Sequence, residues 1–207
     1  MSVTTSDVRR RQAGLPSEFA GLPMRMVRAA TAADVDAHPR AELARLTDLG
    51  LLHRVATGFY VAVPDDRVGT EWMPGLEAAA AGIAVAAYSA DEAVVMGASA
   101  ARLHGTIPRA LATAVETVPK RHDPIRLADR QPLVRLVVRD TARLDAERVV
   151  PELDLVKRPG LGDAEREVWP AVEQLYRRCD LEVLAEVAGA QKMRMTLTRL
   201  QDRLGEK

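Results

Sequence analysis

The chain is poor in cysteine. Cys179 is alone among 207 residues, which excludes an internal disulfide framework and suits a reducing cytosol. It also lacks a surplus of charge, because 29 basic side chains stand against 29 acidic ones. No global field therefore draws the protein to nucleic acid, a membrane surface or acidic substrates, and any such contact must be local. Long hydrophobic runs are missing too. The longest, residues 76–88, is interrupted by Glu77 and Gly82 and falls short of the roughly 20 residues that a bilayer requires. Arg9, Arg10 and Arg11 have no apolar segment behind them, so no secretory signal and no membrane partner are expected, and the expected location is the cytoplasm. His38, His53, His104 and His122 are scattered without the Cys/His spacing of zinc ligands, so no metal site is expected. Walker lysine loop, kinase glycine loop and His-Arg-Asp motif are all absent.

What is present is enough for a packed core: 47% of residues are apolar, and the length fits one large domain or two small ones. Thr31 to Asp34 has the shape of a capping box and predicts a short helix to about Ala37. His38-Pro39 breaks it, since proline suits the first turn of a new helix and restricts the residue before it. The following helix, 39–49, sets Leu43, Leu46 and Leu49 on one side, and Gly50 stops it. Residues 51–55 and 59–63, separated by Ala56-Thr57-Gly58, read as a hairpin. Helix, break, helix and hairpin is the order of a winged helix-turn-helix, whose second helix enters a major groove while the hairpin touches backbone.

The expected fold class is α+β. Residues 1–66 form an N-terminal winged-helix-like domain, 67–75 a linker, and 76–207 a larger α+β domain with a small sheet flanked by helices. In that second domain 76–88 is an interior helix, 93–96 a short strand, and 97–105 a helix ended by glycine. Residues 114–119 and 133–139 are strand-like, with a proline-studded loop between them. Residues 149–157 read as a further strand, with Pro151 implying a bulge or an edge. The final third is helical: Val168, Ala171, Val172, Leu175 and Cys179 keep a helical period, and Met193, Leu197, Leu200 and Leu204 form another stripe.

Two segments carry a resemblance. Residues 49–61, LGLLHRVATGFYV, and residues 95–105, VMGASAARLHG, are similar to the helix end with its wing and to the second-domain signature of the AbiEi antitoxins of type IV toxin-antitoxin systems, in their actinobacterial, MenA/TakA-like branch. With the strands that follow, the resemblance extends over roughly residues 25–158. It implies an antitoxin that neutralises a cognate nucleotidyltransferase-like toxin, with operator DNA as a second partner through autorepression by the winged helix. It implies no fixed catalytic residues. The chain departs from the pattern in one respect: its groove-facing helix carries Arg40 and Arg45 balanced by Glu42 and Asp48. A helix neutral in this way binds phosphates weakly.

The candidate DNA contacts are Arg28, Arg40, Arg45, Arg54 and Thr57. The candidate toxin contacts are Lys120, Arg121, Arg126 and Arg130, because arginine grips carboxylate or phosphate with two parallel bonds. A different class of function is that of an enzyme: an atypical serine protein kinase that silences the toxin by phosphorylating its active-site serine. ATP and Mg²⁺ would then be needed, whereas otherwise no cofactor is expected. Its candidate residues are Lys120, Arg121, Asp123, Glu152 and Asp154, of which Glu152 and Asp154 together with Glu147 could hold Mg²⁺ with a phosphate. Ser99 and His104 lie five apart, a spacing that does not pair side chains on a helix, so Ser99 is expected to cap or pack. The third reading is a plain transcriptional regulator.

Overall fold

The computed structural model describes residues 14–128, 131–140 and 150–205. It is an α+β molecule with two small sheets. The first segment begins with the single-turn helix α1 (Ser17–Ala20), which buries Phe19. A turn at Pro23–Arg25 then leads into β1 (Met26–Arg28). Met24 and Arg25 both take positive φ there, and the turn is held because the Arg25 guanidinium donates to the carbonyls of Ala62 and Val63, each at 3.2 Å.

The capping box expected at Thr31 does not form. Thr31 is helical in backbone, φ −97° and ψ −8°, whereas a capping residue must be extended to aim its side chain at the next turn. Its hydroxyl instead donates back to the Arg28 carbonyl, and only a 3₁₀ turn, Ala32–Asp34, follows. Helix α2 (Pro39–Asp48) starts at its proline as expected and buries Leu43 and Leu46. Leu49 is not on that buried side: it is the C-cap and stands 40% exposed.

Strands β2 (Leu52–Ala56) and β3 (Phe59–Ala62) form the hairpin, and Gly58 at its tip has φ +81°, which a residue with a Cβ rarely adopts. Strand β1 pairs with β3 on the other side, giving the order β1-β3-β2. Alternation along these strands sends side chains both ways. Val27, Leu52 and Ala62 join Phe19, Leu43 and Leu46 in a small core. Met26, Phe59 and Val61 face the opposite way, into a larger core shared with Leu76, Ala80 and Ile83. The sheet is thus covered on both faces.

The second cover is helix α3 (Leu76–Ala87), whose alanines let it lie close to β1: a Cβ built on Gly82 would sit 2.5 Å from the Met26 methyl. Behind α3 lies the second sheet, ordered β4-β5-β7-β6. Its members are β4 (Val94–Val95), β5 (Thr113–Val118), β6 (Ile125–Arg126) and β7 (Leu133–Val138). Strands β5 and β7 are parallel, and the other pairings are antiparallel. The loop expected between 119 and 132 therefore contains a two-residue edge strand. The two sheets are not one ladder, but they touch: Ala56 bridges Leu127, and the Ala128 N–H donates to the Val55 carbonyl at 2.8 Å. The larger core runs from one to the other without a break.

Helix α4 (Gly97–Leu103) follows β4. Ser99 on it is fully buried and accepts the Val115 N–H at 2.8 Å, a packing role as expected. Of the strand expected over 149–157, residue 149 lies outside the described residues, and the rest is not a strand: Pro151–Lys157 is helix α5. Proline has no N–H to offer a ladder, yet costs nothing at the first position of a helix. Every residue from Pro151 to Val156 is buried, so neither period was visible in the apolar pattern. Helices α6 (Val168–Tyr176), α7 (Leu181–Ala190) and α8 (Arg194–Leu204) complete the described residues. Asp180 caps α7 by accepting the N–H groups of Glu182 and Val183. Leu197 and Leu200 of α8 are buried as their spacing suggests, and Arg203 lies 4.2 Å above the Trp169 ring. Among the described residues no helix is long and apolar enough to cross a membrane.

Candidate functional site

Three groups of polar side chains emerge from this frame. The first is the set of candidate DNA contacts. Arg40 is exposed in the first turn of α2, while Arg54 on β2 and Thr57 at the hairpin tip also face solvent. Arg28 ends β1 and is half-buried. Arg45 is differently placed. Its Nε and Nη2 donate to the two Glu42 carboxylate oxygens at 2.7 and 2.6 Å, one turn apart on the same helix face. That hydrogen-bonded pair holds the guanidinium above its ordinary pKa and commits its donors to a neighbour.

The second group lies after β5. Lys120, Arg121 and Asp123 are exposed in the loop, Arg126 is exposed on the edge strand β6, and Arg135 is exposed on β7. The register pairs Arg126 with Leu133, and side chains two apart on a strand share a face, so Arg126 and Arg135 lie on one side of the sheet. The loop is tethered by the Tyr88 hydroxyl, which donates to the Lys120 carbonyl at 3.1 Å, and by a 2.7 Å contact between His122 Nδ1 and the Asp123 carbonyl. No ion pair engages Lys120, Arg121, Arg126 or Arg135 among the described residues. Arg130 and Glu147 lie outside the described residues.

The third group is buried. Glu152 and Asp154 are not on an open strand face: they sit on α5 with 3% and 2% exposure. Burial pushes the Glu152 carboxyl up to about 7, against the pull of its own backbone N–H. Asp154 is ion-paired with Arg139, whose other nitrogen donates to Gln191 Oε1 at 3.3 Å. Burial still raises the Asp154 carboxyl, and Arg139 opposes it. Glu116, in the centre of β5, is wholly buried with neither oxygen hydrogen-bonded. Desolvation raises its pKa well above the usual range, and nearby Glu77, paired with Arg102 at 2.6 Å, adds to this.

The chain matches no protein-family model and no curated protein.

The five candidate phosphotransfer residues do not come together. Lys120, Arg121 and Asp123 are on the exposed loop, whereas Glu152 lines a cavity of about 250 Å³ with His104, Cys179 and Leu184. Asp154 lies at a separate, small cavity beside Arg139. Neither of these two cavities is lined by Lys120, Arg121 or Asp123. Nor, among the described residues, do three or more His, Cys, Asp or Glu side chains converge to hold a metal ion.

What sequence reasoning missed is a second basic cluster. Arg139, Lys157, Arg158 and Lys192 line one cavity of about 270 Å³, contributed by the end of β7, the end of α5 and the end of α7. The available signal was that Arg139 and Lys157 each follow directly on the last apolar residue of an element, with Arg158 and Lys192 one position further along. Reading 149–157 as a strand hid it, since a strand would have sent Lys157 and Arg158 to opposite faces.

Proposed function

We propose that this chain is an antitoxin of the AbiEi type that neutralises a cognate nucleotidyltransferase-like toxin by binding it. The observation that carries the proposal is the set of exposed cations, Lys120, Arg121, Arg126 and Arg135, which form no ion pair among the described residues. On a protein of zero net charge such a patch is a local feature, and complementary charge steers and registers an acidic partner. The toxin meets the edge of the second sheet. Neutralisation proceeds by occupation rather than by covalent change, because the candidate phosphotransfer residues are dispersed.

The test is co-expression of the toxin with the wild-type chain and with the double variant Lys120→Glu, Arg121→Glu, followed by pull-down. The variant should lose both protection and co-purification. Full protection by a folded variant would overturn the surface assignment. Incubation with the toxin, labelled ATP and Mg²⁺ discriminates the enzymatic alternative, since label on the toxin would replace binding with phosphoryl transfer.

A role at operator DNA is favoured by one separate observation, the helix-strand-turn-helix-hairpin order of the first segment with its β1-β3-β2 sheet. That arrangement resembles a winged helix, with α2 as the groove helix. Arg45 being bound to Glu42, this binding is weak, with few phosphate contacts and a shallow dependence on salt.

A further inference from the structure

We propose that the cavity between the ends of β7, α5 and α7 is a binding site for a phosphate chain, of the kind borne by a nucleoside di- or triphosphate. This goes beyond the docking surface and uses none of its residues. The walls are Val138, Arg139, Lys157, Arg158 and Lys192, with Gln191 and a single acid, Asp140. The walls carry four cations and one acid, and since Arg139 is already paired with Asp154 a surplus of two positive charges remains, on a chain whose total charge is zero, to meet a ligand of several negative charges.

The cations are also differently prepared. Arg139 is fixed, its two terminal nitrogens donating to buried Asp154 and to Gln191, so it forms a rigid wall of the cavity rather than a mobile arm. The Lys157 and Lys192 side chains enter no hydrogen bond or ion pair among the described residues, and Arg158 reaches Asp154 only through longer-range attraction. They are available to close on the ligand.

Topology supports the same reading. Strands β5 and β7 are the parallel pair of a mixed sheet, and in open parallel sheets ligands lie outside the carboxyl ends of such strands. The cavity lies there: it begins at Val138, the last residue of β7, and the Arg139 N–H donates to the carbonyl of Val118, the last residue of β5, at 3.0 Å.

Lys192 adds a further indication. It follows the C-cap of α7 with φ +56°, and the Met193 N–H closes the turn onto the Ala188 carbonyl at 2.7 Å. Glycine is the usual residue at such a helix end because a Cβ is strained there. A lysine at that position carries backbone strain and delivers a charge to the cavity.

The experiment is calorimetric titration and thermal denaturation of the full chain with tripolyphosphate, ATP, GTP and, as control, adenosine. Tripolyphosphate should bind saturably and raise Tm, while adenosine alone should do neither. The variant Lys157→Glu, Lys192→Glu should bind at least about tenfold more weakly, because each reversed charge replaces an attraction by a repulsion. Lys192→Gly should hold or raise the Tm of the free protein, yet weaken binding, a combination that a purely structural role would not produce. The double variant Lys120→Glu, Arg121→Glu should bind as the wild type does, which separates this site from the docking surface. Tighter binding of ATP or GTP than of tripolyphosphate would assign the source as a nucleotide, and equal binding would assign it as the phosphate chain alone. Absence of saturable binding by every phosphate, or undiminished binding by the Lys157→Glu, Lys192→Glu variant, would overturn the proposal.

Discussion

The first segment and the second sheet both carry arginines, but use them differently. On α2, Arg45 is held by Glu42 one turn away, so the helix offers Arg40 as its one exposed cation. Around the second sheet, Lys120, Arg121 and Arg126 form no ion pair among the described residues, and Arg139 is paired with an acid that is itself buried. The difference teaches that the number of basic residues says little about available charge. What matters is whether the nearest acid sits beside the guanidinium at the surface, where it cancels it, or behind it, where it orients it.

The largest effect should come from removing that buried acid. Asp154→Ala would strand Arg139, and loss of one partner of a buried pair costs about 3–5 kcal/mol. Urea unfolding should show it, and an unchanged midpoint would mean that Arg139 turns out to solvent with no penalty. Next is the pH dependence of Glu152. Its carboxyl is raised to about 7 in the folded chain, so it is protonated where the unfolded chain has already lost the proton. Stability from this group is complete below the ordinary carboxyl value and falls as pH rises toward 7. The loss is on the order of 3 kcal/mol. Glu152→Gln should flatten that decline in denaturation curves taken from pH 4 to 8, and an equally steep profile would assign the decline elsewhere.

The surface pairs should behave oppositely. Lys120→Glu with Arg121→Glu should shift stability by no more than about 0.5 kcal/mol while abolishing toxin binding, as read by pull-down beside thermal denaturation. The smallest effect sharpens the contrast most. Glu42→Gln frees Arg45 from its carboxylate, and DNA binding should strengthen, with the slope of log affinity against log salt steepening by about 1. An unchanged slope would mean that Arg45 does not face the duplex.

Much of the element order was legible in the chain. Pro39 at the start of α2, Gly50 after it, and Gly58 in the hairpin are residues whose backbone preferences act locally, and those boundaries came out close to the expected ones. The alanine-rich 76–87 segment was legible as interior for the same kind of reason: a helix apolar on every side has no face for water. Thr31 failed because capping depends on the backbone angle of the capping residue, which its sequence context suggested wrongly. Residues 150–157 failed because a short run buried on all sides carries no period. Of the candidate site, the exposed loop cations could be named from sequence, since a basic run between prolines has nowhere to hide. The Arg139, Lys157, Arg158 and Lys192 cluster could not, because its members come from three elements up to 53 residues apart, from 139 to 192.

By itself the sequence determined the α+β class, the hairpin, the interior helix and a molecule without net charge, all consequences of short-range preference and composition. The tertiary structure alone decided that the hairpin sheet is covered on both faces, that Glu116 and Asp154 lose their water, and which arginines keep an acid for company. Each of these depends on what lies within a few ångströms of a side chain. Segments distant along the chain supply those neighbours, and packing, not periodicity, brings them there.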